Sequence, residues 1–103
     1  MHVISRKPFN DATQLYPNQA VAIESVYKVL RNGQFNDPLA LKAVFPSLDN
    51  FKYKKKWWVI DIGGNNLRLI AFIEFRDNRV FVKHIVTQTE YDKLCRKYAQ
   101  EAD

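Results

Sequence analysis

The chain predicts an α+β fold, in which an N-terminal strand and two helices pack on an antiparallel sheet and a short C-terminal helix follows. Apolar residues recur at three- and four-residue spacing in the first half and mostly alternate from Lys56 to Val86, and a capping sequence restarts helical spacing at Thr87. Helices gathered on one side of such a sheet make the α+β class. The 103 residues, 47% of them apolar, suffice for one domain with a small core.

His2 to Ser5 is β-branched enough to pair as an edge strand. Lys7 to Tyr16 carries Phe9, Ala12, Leu15 and Tyr16 at helical spacing, with Pro8 in its first turn and Pro17 as its stop. Asn18 is the expected N-cap of a longer helix through Arg31, with Ala22, Ile23, Val26, Tyr27, Val29 and Leu30 as its apolar stripe. Asn32-Gly33 ends it with a residue that tolerates the left-handed conformation. Asp37-Pro38 reads as a cap and first-turn proline opening one short turn through Lys42, closed by Pro46.

The period then changes. Lys56 to Ile62, Leu67 to Phe75 and Val80 to Val86 read as strands, with Phe51 to Tyr53 as a shorter one before them. Gly63-Gly64-Asn65-Asn66 and Arg76-Asp77-Asn78-Arg79 are the turns. Thr87-Gln88-Thr89-Glu90 is a capping box, and the helix behind it places Tyr91, Leu94, Cys95 and Tyr98 on one face.

Sixteen Lys and Arg against eleven acids leave +5, with a pI near 9.4, which points to a polyanionic partner. Between Lys42 and Lys83 nine cations face four acids, so this half holds the whole surplus. Its densest piece is Lys52-Tyr53-Lys54-Lys55-Lys56-Trp57-Trp58. Lysines interleaved with rings suit single-stranded nucleic acid, because cations follow phosphates and rings stack unpaired bases. A charged turn before two buried tryptophans is the alternative. Lone Cys95 forms no internal disulfide and suits a reducing cytosol, and the N-terminus has no apolar run of signal-peptide or membrane-span length. A small, basic, cytoplasmic domain is the reading that remains.

Strict alternation puts Leu67, Leu69, Ala71, Ile73 and Phe75 on one face, opposite Arg68, Ile70, Phe72 and Glu74. It likewise sets Lys83 opposite His84. Arg68 is a lone cation in an apolar strand, so it either pairs with an acid such as Glu74 or Asp61 or opens onto a solvated groove. His2, His84 and Cys95 have no metal-ligand spacing, and no HExxH, P-loop or GxSxG occurs, so no metal or cofactor is expected. On these grounds the chain reads as a small basic RNA-binding domain.

Three stretches go further. Leu41-Lys42-Ala43-Val44-Phe45-Pro46-Ser47-Leu48-Asp49-Asn50-Phe51, then Gly64-Asn65-Asn66-Leu67-Arg68-Leu69, then Thr87-Gln88-Thr89-Glu90-Tyr91-Asp92 resemble the HigB toxins of the RelE/ParE superfamily. The resemblance covers nearly the whole chain and implies one RelE/ParE-like toxin domain over residues 1–103. It further implies an endoribonuclease that cleaves mRNA on the ribosome, the rest of its basic surface docking ribosomal RNA. A HigA-type helix-turn-helix antitoxin would neutralise it, and only the complex would bind operator DNA.

Arg68 matches that family's arginine after the Gly-Asn turn, and Lys83 stands where arginine is usual, keeping charge without the bidentate fork. Tyr91-Asp92 match a Tyr-Asp that follows a Thr-His pair, but here Gln88 holds the histidine's place. Glutamine positions a phosphate but does not exchange protons near neutral pH. Two origins account for it: divergence, with the proton transfer weakened or done elsewhere, or a replacement that lets a lethal toxin be made without its antitoxin.

RNA carries its own nucleophile, the 2′-OH, so cleavage needs only proton transfers and charge stabilisation. The resulting catalytic candidates are Arg68, Lys83, Gln88 and Tyr91. Candidates for nucleic-acid binding are Lys52, Lys54, Lys55 and Lys56 together with Arg68 and Lys83. A non-catalytic RNA-binding module and a ParE-like gyrase poison are the alternatives.

Overall fold

A computed structural model describes residues 1–101. β1 (His2–Val3) leads into α1 (Lys7–Leu15), whose start is fixed by the Ser5 hydroxyl accepting the Lys7 amide at 3.2 Å. Phe9 and Ala12 are the buried side of α1. Pro17 ends it and opens a 3-10 turn, Pro17–Gln19, before α2 (Ala20–Asn32). Asn18, expected to cap α2, lies inside that turn and makes no capping bond. α2 buries Ile23, Val26 and Leu30, part of the anticipated stripe.

Gly33 also departs from expectation. Its backbone is extended (φ −85°, ψ 161°), so no left-handed stop is used. The Phe35 ring presses so close that a Cβ on residue 33 would lie 2.4 Å from it. Close approach is the reason for glycine here. α3 (Pro38–Val44) is capped as expected, Asp37 Oδ1 accepting from the Ala40 amide at 2.8 Å.

β2 (Asp49–Asn50), β3 (Trp57–Ile62), β4 (Leu67–Glu74) and β5 (Arg79–Thr87) complete a five-stranded sheet ordered β1-β5-β4-β3-β2. All pairs are antiparallel except β1 with β5. The short strand expected at Phe51 to Tyr53 falls instead on Asp49–Asn50, and Phe51 turns inward as a buried side chain.

The sheet is covered on both faces. α1 and α2 pack on the face carrying Ile60, Ile62, Leu67, Leu69, Ala71, Ile73 and Val80, the main core. The other face carries Phe51, Val59 and Ile70, and there α4 (Gln88–Glu101) lays Tyr91, Leu94, Cys95 and Tyr98. The terminal helix is thus neither short nor on the side of the other helices. α1 and α2 already fill the main core face, while the apolar Val59 and Ile70 of the second face need cover of their own.

β5 contains a bulge. Val82 pairs with Ala71 and His84 with Ile70, so Lys83 is the extra residue. Val80, Val82 and Ile85 stay with the main core, while Lys83 and His84 both point to the second face. Strict alternation would set these two apart. One inserted residue, invisible in the hydrophobic pattern, cancels the alternation.

Candidate functional site

β4 carries Arg68 on the second face, directly across from Asp61 of β3 and Val86 of β5. Asp61 pairs with the Arg68 guanidinium, one of the two acids expected as its partner. The pair is not sealed: the arginine side chain keeps 19% of its surface exposed and the aspartate 29%. Arg68 Nη1, buried beside a cleft, is the nitrogen that meets Asp61 Oδ1.

That cleft has a volume of about 230 Å³ and is lined by Ser47, Asp49, Asn50, Val59, Asp61, Arg68 and Tyr91. The Ser47 hydroxyl accepts the Asp61 amide at 2.9 Å, pinning the loop before β2 against β3. Tyr91, in the first turn of α4, sets its ring centroid 5.9 Å from the Arg68 guanidinium. Burial, reinforced by Cys95 and by the nearby Asp49 charge, pushes the Tyr91 phenol up to about 12. Near neutral pH it is therefore protonated, a proton donor rather than a base.

Gln88 is exposed at the start of α4, and its amide donates to Asp92 Oδ1 at 2.8 Å. Half of the expected capping box forms, the Glu90 amide donating to Thr87 Oγ1 at 3.3 Å, while Glu90 Oε1 accepts the Thr87 hydroxyl at 3.2 Å instead of the Thr87 backbone amide. Tyr16 adds a third tie, its hydroxyl donating to Glu90 Oε1 at 3.0 Å. Arg68 and Tyr91 thus come together, while Gln88, one helical turn before Tyr91, is not among the residues lining the cleft.

Lys83 is elsewhere. It lines a separate cavity of about 300 Å³ with Trp57, Phe72 and Phe81. Phe72 lies four residues from Arg68 along β4, roughly 13 Å away. Of the basic tract, Lys52 lies 5.1 Å from the Tyr53 ring centroid and Lys54 5.4 Å from that of Tyr98. Lys55 is exposed, and Lys56 gives its charge to Glu74 at 2.9 Å. That contact holds the Glu74 carboxyl below the usual carboxylate range. Trp57 and Trp58 separate: Trp58 packs toward the main core against Phe75, and Trp57 lies on the second face against Phe51 and Tyr98.

Sequence reasoning does not single out Ser47, Asp49 and Asn50 as cleft residues. Their one signal is their place in the Pro46 to Phe51 stretch, which carries part of the family likeness. His84 bonds the Tyr98 hydroxyl through Nε2 at 2.9 Å, away from the cleft. Burial, with help from Lys97 and Lys83, holds its pKa below the ordinary histidine value. Among the described residues no group of three or more His, Cys, Asp or Glu is gathered to hold a metal ion. No helix among them is long and apolar enough to cross a membrane.

Fold and cleft together define a small basic α+β protein with a cation-and-phenol cleft at one end of its sheet. Residues 19–94 match the family model described as HigB toxin, the RelE-like toxic component of a toxin–antitoxin system. The chain is 50% identical, over its full length and that of the relative, to the mRNA interferase HigB of Escherichia coli O6:H1 (strain CFT073). It is 40% identical over 92 residues, 89% of this chain and 88% of the relative, to the mRNA interferase toxin HigB of Escherichia coli K12. The mRNA interferase HigB of Shigella flexneri matches to the same extent. The chain belongs to the HigB toxin family.

Proposed function

We propose that this toxin, an mRNA interferase like its relatives, cuts mRNA on the ribosome without a metal. The observation that carries the mechanism is the juxtaposition of Arg68 and Tyr91 in one cleft. The 2′-oxygen attacks the adjacent phosphorus and the bond to the 5′-oxygen breaks, leaving a 2′,3′-cyclic phosphate and a 5′-hydroxyl. The 2′-OH proton passes to a solvent water, and the departing 5′-oxygen takes one from the Tyr91 phenol, which solvent then reprotonates. Arg68 stabilises the charge that builds on the phosphorane, exchanging part of its contact with Asp61 for the phosphate. Gln88, exposed one helical turn before Tyr91, holds a phosphate oxygen.

Lys52, Lys54 and Lys55, with Lys83, bind the RNA backbone and the 16S ribosomal RNA around it, in the cytoplasm. A HigA-type helix-turn-helix antitoxin neutralises the toxin, and operator DNA is bound only through their complex. The missing family histidine favours one other reading, a binder of RNA that does not cut it.

Inducing the chain and its Gln88→His variant and mapping mRNA ends decides between them. New ends within translated codons, absent when ribosomes are removed from the extract, are the expected result. Intact mRNA with both proteins means the RNA is bound but not cut, and DNA damage with intact mRNA means a gyrase poison. Cleavage by the histidine variant alone means that Gln88 is what inactivates the chain as written.

A further inference from the structure

Trp57, Phe72 and Phe81 stand in register on three neighbouring strands, Trp57 paired with Phe72 across β3–β4 and Phe72 with Phe81 across β4–β5. They form one aromatic row over the second face. Phe72 and Phe81 meet edge-to-face at 5.6 Å between centroids. All three rings are half-buried, and the residues that line the cavity above them, among those described, do not include any of α4. The bulge in β5 adds Lys83 to the same cavity, its ammonium 5.8 Å from the Trp57 ring and 5.9 Å from that of Phe81.

We propose that this row, with Lys83 at its edge, is a second RNA site that stacks one unpaired base and holds the phosphate attached to it. The inference rests on the RNA-cleaving reading and deepens it. Flat rings offered from adjacent strands are how other sheets receive splayed bases, and a neighbouring cation supplies the phosphate contact. Lys54 and Lys97, both close to the Tyr98 ring that packs on Trp57, extend the positive field around the row. Glu74, the acid nearest along β4, is neutralised by Lys56. The site lies roughly 13 Å from Arg68, two nucleotides or so along an extended strand, so it fixes the register of the RNA rather than cutting it.

Trp57 reports directly on occupancy. The chain has two tryptophans, and a Trp58→Phe background leaves Trp57 as the sole emitter. Titration with a short single-stranded 2′-O-methyl RNA, which lacks the attacking hydroxyl, should quench its fluorescence. An abasic strand of equal length and charge should leave it unchanged. Phe81→Leu, which keeps apolar volume but removes the ring, should weaken the base-dependent binding roughly tenfold, and Phe81→Ala should do the same. Arg68→Ala should keep the quenching while eliminating cleavage in a translation extract.

Equal quenching by the abasic strand, or none by either, overturns the site. So does self-association that abolishes quenching, which would mean that a second copy covers the row. Failure of the cleavage reading has a different signature: intact mRNA in the extract, with base-dependent quenching preserved.

Discussion

Arg68 is legible in the sequence because a cation inside an apolar strand has few tolerable fates, and its pairing with Asp61 is one of them. Lys83 is not legible there. Its face depends on one unpaired residue in β5, and apolar spacing carries no sign of it. Arg68→Ala should lower mRNA cleavage by roughly 10²–10³-fold, the usual cost of losing a charge-stabilising donor, with unchanged circular dichroism. Normal growth arrest by that variant would remove Arg68 from the mechanism.

His84 offers a separate measurement. It faces Tyr98 and Lys97 from α4 and Lys83 from its own strand, and its folded pKa is below the ordinary value. Protonation therefore favours the unfolded chain. The stability this histidine contributes is complete above about pH 6.5 and is lost as acidification passes through that value and the lower folded one. Urea midpoints at successive pH values should show this loss, and His84→Gln should flatten it.

Elements marked by capping and turn chemistry can be read from the chain, and those set by packing cannot. Asp37-Pro38 and the Thr87 cap work as local chemistry dictates, and Gly63 and Gly64 take the positive φ of their turn. Asn18 fails as a cap because Pro17 opens a 3-10 turn that absorbs it. The side of the sheet taken by α4 depends on which face the other helices leave bare, a tertiary fact with no local signature. Thr87 is the last residue of β5 and also accepts the Glu90 amide, so strand and helix meet without a loop. Thr87→Ala should cost about 1 kcal/mol of stability by urea denaturation. It should also lower activity, because α4 positions Tyr91 and Gln88. A variant with full stability would mean that the cap does not hold the helix start.

At the level of the whole molecule, +5 by itself indicates only some polyanion. The fold places that charge in a loop of lysines before β3 and at Lys83 beside an aromatic-lined cavity, while Arg68 shares its cleft with Asp49 and Asp61. All three belong to the sheet's second face, on which α4 packs, or to the loop beside it. Binding to ribosomes should weaken steeply with salt, and Lys55→Ala should reduce the slope of log affinity against log salt by about 0.7–0.9, one phosphate contact. An unchanged slope would place Lys55 outside the interface.

The parallel pairing of β1 with β5 has a consequence for timing. Residues 2–3 find their sheet partners, among the described residues, at residues 79–80. Contacts this distant in sequence close late, because the loop entropy comes before the reward. β1 therefore joins the sheet only once β5 is present, and α4, which brings Tyr91 over Arg68, follows β5 in the chain. Arg68 and Tyr91 are thus brought together by parts of the fold that close late.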